Sequence, residues 1–184
     1  DKPLKDVLHP EDQFILTHWD NRPGEQYEGI GIYPELGTLP RGEYIQWCIA
    51  SVAGQPILRA VILQMLRNID EYTPFRHGAG LWGVLRTTGP VMYTKVIEAM
   101  RPTLIEGKDY RMLDKPQEIG LRYSIFDTAG VYGHKKALKA NYNKAYTPII
   151  VTPDRPLYAK CAKYYLFARL AIRVLGDKIA ARFK

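Results

Sequence analysis

The chain has 184 residues and a mass of 21.1 kDa, with 46% hydrophobic, 11% aromatic and 24% charged residues. That size suits one domain, and the balance excludes a disordered or fibrous chain. No apolar run approaches the roughly eighteen residues of a spanning helix, and two cysteines exclude a disulfide-rich scaffold.

The formal charge of +7 is unevenly placed: residues 154–184 hold eight Lys/Arg against two Asp, so +6 belongs to the tail and +1 to residues 1–153. A nucleic-acid binder needs a basic body with base-reading or stacking groups beside it, so no nucleic acid is expected as a partner.

The chain opens Asp1-Lys2-Pro3-Leu4, with no initiator Met and no targeting pattern, and reads as part of a longer polypeptide. Residues 3–10 form an irregular lead-in, and His9-Pro10-Glu11-Asp12 a turn. Gln13 to Trp19 is an expected buried strand, closed by Asp20-Asn21-Arg22. The Gly- and Pro-rich residues 22–43 read as a long loop with one short strand at 30–33. A loop of that length in a small domain is usually functional or mobile. An apolar run, Tyr44 to Ser51, is broken by Gly54-Gln55-Pro56. Apolar residues at 57, 58, 61, 62, 65, 66 and 69 then predict an amphipathic helix with Pro56 at its first position.

Residues 70–86 read as a second loop, and Val91–Met100 as a second helix capped by Thr88 or Gly89 with Pro90 at its start. Short strands are expected at 121–126 and 149–151. The mixed order predicts an α/β class. No GxGxxG, P-loop, HExxH or CxxC pattern occurs. Cys48, in an apolar run, and Cys161, on a helical apolar face, read as buried free thiols.

Two regions follow: a body at 1–153 and a basic tail at 154–184. On a helical wheel Leu157, Cys161, Tyr164, Tyr165, Ala168 and Ile172 share one face with Leu175, Ile179 and Phe183. Lys160, Lys163, Lys178 and Arg182 border that face. The tail is either a terminal helix docked on the body or an interfacial helix on an anionic membrane, through residues 157–183.

Three ordered segments carry a resemblance. Gln46-Trp47-Cys48-Ile49-Ala50-Ser51 followed by Gly54-Gln55-Pro56 is similar to an apolar Trp-containing run followed by Gly-His-Pro and a helix. Thr88-Gly89-Pro90 resembles the start of the next helix, and Lys2-Pro3-Leu4-Lys5-Asp6-Val7 the lead-out behind a sugar-binding Asp-x-Asp motif. Together, over residues 1 to about 150, they resemble the family 32 glycosyltransferases. The resemblance implies a GT-A type α/β fold, of which this chain would be the C-terminal portion. It also implies retaining transfer of a sugar from a nucleotide-sugar donor to a hydroxyl of a glycan or lipid. A Mn²⁺ or Mg²⁺ ion held by Asp-x-Asp would neutralise the departing diphosphate. No Asp-x-Asp occurs in residues 1–184, so the expectation is a fragment that lacks the metal motif and is inactive alone.

The residues nominated are these. Asp20 and Asn21 close the first strand, where an α/β sheet places its ligand crevice; the other reading is a turn-forming pair. Gln46 and Trp47 border the cleft the family implies, Trp47 offering a face to a sugar ring and Gln46 paired hydrogen-bonding groups. The expected catalytic set is Asp20, Gln46 and Trp47, with Asn21 binding substrate. Thr88, Gly89 and Pro90 would turn a helix N-terminus toward a hydroxyl or phosphate oxygen. By the same resemblance His134 is a metal ligand and Lys135 a diphosphate contact. The alternative is a non-catalytic transferase-like module carried to a membrane or partner by its tail. Localisation stays open between a Golgi-like compartment and the cytoplasmic face of a bacterial or viral membrane.

Overall fold

The computed structural model describes residues 3–37, 39–121 and 147–150, together with Cys161, Tyr164, Tyr165 and Ala168. Its centre is a three-stranded mixed sheet of β1 (Phe14–Thr17), β2 (Ala50–Ser51) and β3 (Arg111–Leu113), in the order β2-β1-β3. β1 runs antiparallel to β2 and parallel to β3, with Ile15, Leu16 and Thr17 opposite Arg111, Met112 and Leu113. All four residues of β1 are buried, as in a strand covered on both faces. Side chains alternate across a strand. Phe14 and Leu16 accordingly join one apolar cluster, and Ile15 joins another with Val7, Leu113 and Ile119.

The first cluster is roofed by two helices, α1 (Pro56–Asp70) and, further along, α4 (Pro90–Met100). Ile57 and Val61 of α1 meet Met92, Tyr93 and Ile97 of α4 over the sheet. Each fully buried side chain of this kind contributes about 1.5–3 kcal/mol relative to its exposed state. Both helices begin at a proline, where the missing N–H is no loss and φ is preset. Gln55 caps α1: its Oε1 accepts the Ile57 N–H at 3.0 Å, while its Nε2 donates to the Asp109 carbonyl at 3.1 Å.

Between them lie α2 (Pro74–His77) and α3 (Gly80–Thr87), where the sequence led us to expect a loop at 70–86. The glycines that suggested a loop work at the ends of these helices: Gly78 (φ +87°) ends α2 and Gly80 (φ +53°) opens α3. Leu85 then packs with Leu36 and Val91, which holds α3 by tertiary contact.

Other expectations change as well. Residues 30–33 form turns and extended chain, not a strand, and Ile149 and Ile150 are a bend. β3 was not foreseen; three residues carry too little pattern to read. The strand expected at 121–126 lies outside the described residues beyond Leu121, which is not in a strand. Cys48 is half-buried and Cys161 exposed, so neither is the buried thiol expected. The mixed α/β class holds.

Candidate functional site

β1 and β3 are parallel, so their C-terminal ends emerge side by side, the position at which α/β sheets present ligand-binding residues. From β1 the chain continues His18-Trp19-Asp20-Asn21-Arg22, and from β3 Asp114-Lys115. Asp20 is 8% exposed; its Oδ1 lies 3.6 Å from the Lys115 ammonium and has no hydrogen-bond partner among the described residues. Asp114 takes a hydrogen bond from Arg22 at 2.7 Å and a second from Arg41. Arg41 also donates to the backbone carbonyls of Trp19 and Asp114, tying the ends of the two strands together. Glu25 accepts the Arg22 N–H at 2.7 Å, and that bond first of all holds its carboxyl below the usual carboxylate range.

Behind this charged edge is an interior layer. The Trp19 indole N–H donates to Glu43 at 2.6 Å. Burial pushes the Glu43 carboxyl up to about 7, against the lowering effect of that bond. His18 lies 4.8 Å from the Tyr44 ring, and burial, followed by the Arg41 charge, pushes it down to about 4. Glu43 is 5% exposed, so it serves the edge from inside and does not meet a ligand.

Trp47 is half-buried against the Trp19–Tyr27–Ile45 cluster, its ring 6.2 Å from that of Trp19. The Gln46 amide donates to the Thr88 carbonyl at 2.8 Å. Trp19 and Trp47 thus link the chain after β1 to the Gln46 segment, and Gln46 in turn ties that segment to the α3–α4 corner.

Two substrate-binding expectations change in detail. Asn21 uses its amide N–H groups on the carbonyls of Ile30 (2.7 Å) and Arg41 (3.1 Å), which closes the loop and leaves no donor for a ligand. At the corner, the N–H groups of Thr88 and Gly89 both donate to Val84 O, at 3.1 and 2.7 Å, and Pro90 has no N–H. A Cβ on Gly89 would fall 2.7 Å from Leu85 Cα, so this corner is packed and is not an open donor site. His134 and Lys135 lie outside the described residues.

Among the described residues no group of three or more His, Cys, Asp and Glu could hold a metal ion. Asp20 and Asp114 are already matched by Lys115, Arg22 and Arg41, and cations at that spacing oppose a divalent ion. These residues do not fit Mn²⁺ or Mg²⁺ on their own. Arg22, Arg41, Asp114 and Lys115 were not singled out from the sequence. Their role depends on the β1–β3 pairing, and the only local signal was charge directly after a short apolar run. No family model matches the chain, and no curated protein or solved structure matches it.

Proposed function

We propose that the chain supplies the acceptor side of a retaining, nucleotide-sugar-dependent glycosyltransferase of the GT-A type. The observation that carries the reading is the Asp20–Lys115 pair at the C-terminal edge of the parallel strands. The Lys115 ammonium, on a side chain 42% exposed, donates to a sugar hydroxyl there, and the buried Asp20 carboxylate positions it from 3.6 Å. Trp47 sits half-buried on the Trp19–Tyr27–Ile45 cluster, next in the chain to Gln46. The ordered segments around Gln46-Trp47, Gly54-Gln55-Pro56 and Thr88-Gly89-Pro90 support the same family. No Asp-x-Asp stands in residues 1–184, and the residues of this edge are matched by cations, so the reading assigns them hydroxyl positioning alone.

The test uses the complete protein with a panel of nucleotide sugars, read by calorimetry with and without Mn²⁺ and by donor hydrolysis. Binding that requires Mn²⁺ is expected. Asp20→Asn and Trp47→Ala should each lower turnover by about tenfold to a hundredfold, more than the stability each loses accounts for. A complete protein that binds no nucleotide sugar would falsify the reading. Variants that lose only melting temperature would make Asp20 and Trp47 structural.

A second reading is a non-catalytic module held on an anionic membrane by the tail. It is favoured by one observation: Cys161, Tyr164, Tyr165 and Ala168 are helical, and all four are exposed. The transferase reading remains the better supported, because the exposed tail positions explain nothing about the charged edge.

A further inference from the structure

On the face where α1, α2 and α4 meet, an open groove of about 450 Å³ has no role in the reading above. Its floor is apolar, formed by Val91, Met92 and Val96, and its walls are polar. α1 contributes Gln64 and Asn68, α2 contributes Arg76 and His77, and Arg86 and Lys95 come from α3 and α4. No carboxylate lines it.

The polar groups are held in a defined state. Gln64 donates to Asn68 at 2.8 Å, and Asn68 donates to the carbonyls of Arg86 and Thr87, which fixes the α1 wall to the end of α3. His77 is 7% exposed and its Nδ1 accepts the Thr73 N–H at 3.2 Å, with its ring stacked on Tyr72. That bond fixes the tautomer, so Nε2 carries the hydrogen and is a donor. Nε2 has no hydrogen-bond partner among the described residues.

The charge is positive. Arg86 pairs with Glu35 through Nε and Nη2 and lies over the Trp82 ring, leaving Nη1 unbonded among the described residues. Arg76 is partly neutralised by Glu71 at 3.1 Å. Lys95 makes no ion pair among the described residues, although its charge reaches Glu35; with Glu71 and Glu35 set against Arg76 and Arg86, one positive charge is left over.

We infer that this groove binds a phosphomonoester whose organic part rests on the Val91–Met92–Val96 floor, with the phosphoryl oxygens held by Lys95, the free Nη1 of Arg86 and the His77 Nε2–H. Guanidinium, ammonium and a neutral donor supply more donors than one carboxylate accepts, which points to a dianion. The phosphoryl group comes from either a soluble ester or a lipid headgroup. The site shares no residue with the Asp20–Lys115 edge and does not depend on sugar transfer.

The experiment follows backbone and His side-chain NMR resonances of the chain during titration with inorganic phosphate and with glucose 6-phosphate. Phosphatidylcholine vesicles doped with phosphatidic acid form the second arm. Shifts confined to Asn68, His77, Lys95 and Val96 are expected. Lys95→Gln, an exposed position in a helix, should weaken binding about tenfold, while Lys108→Gln leaves it unchanged. Response to the soluble esters identifies a soluble ligand, and response only to the doped vesicles identifies a lipid headgroup. No shift with either probe overturns the site. So does Lys95→Gln binding as tightly as the native chain while its melting temperature is unchanged.

Discussion

Two buried residues beside β1 titrate in opposite senses. Glu43 is raised from 4.5 to about 7, so the folded chain holds that proton more tightly than the unfolded chain does. Its contribution to stability is complete below about 4.5 and is lost as pH rises through 7, on the order of 3 kcal/mol. His18 is lowered from 6.5 to about 4, so its contribution is present above 6.5 and lost as pH falls through 4. Between these values the two slopes offset one another. Glu43→Gln keeps an acceptor for the Trp19 indole and removes one slope. The variant should melt above the native chain near pH 8, with the gap closing near pH 5. Thermal melts at both values check this; an equal gap at the two pH values would show that Glu43 is charged in the folded chain at both.

The elements that rest on local chemistry were legible in the sequence; those that rest on distant partners were not. α1 and α4 start where the prolines predicted, because N1 geometry is a property of a few adjacent residues. Gln55 is the α1 cap and the anchor for the Asp109 carbonyl, using both ends of its amide. α3 was hidden by its glycines, since its helicity depends on Leu85 packing with Leu36 and Val91. β3 pairs with a strand nearly a hundred residues earlier, and the charged edge was invisible for the same reason.

The α3–α4 corner gives a direct test of close packing. Gly89 has φ −91°, open to any residue, so only sterics resist a side chain there. Its Cβ would stand 2.7 Å from Leu85 Cα and 2.8 Å from Val84 O. Gly89→Ala should cost about 1–3 kcal/mol in urea denaturation; a neutral result would mean that the two helices separate freely. Gln55→Ala should cost about 1 kcal/mol through the lost cap.

At the scale of the whole molecule, charge and apolar surface are distributed in a way that the body alone does not explain. The tail carries +6 of the +7. Its four described positions are helical and exposed, with Tyr164 at 75%, and the Tyr165 ring meets Phe75 of α2 at 4.7 Å. Among the described residues no helix is long and apolar enough to cross a membrane. A basic amphipathic segment gains roughly 1 kcal/mol on an anionic surface for each Lys or Arg near the lipid, screened over about 10 Å at 0.1 M salt. The chain should therefore sediment with vesicles containing phosphatidylserine, less so as salt rises, and weakly with phosphatidylcholine alone. Replacing Lys160, Lys163, Lys178 and Arg182 by Gln should lower partitioning by about three orders of magnitude on the same scale, whereas Tyr164→Ser should act alike on neutral and anionic vesicles, because it removes apolar contact and no charge. Equal retention of the native chain on the two vesicle types would remove the electrostatic attachment. The other reading, a terminal helix docked on the body with its basic face solvated, would then stand, in line with the Tyr165–Phe75 ring contact.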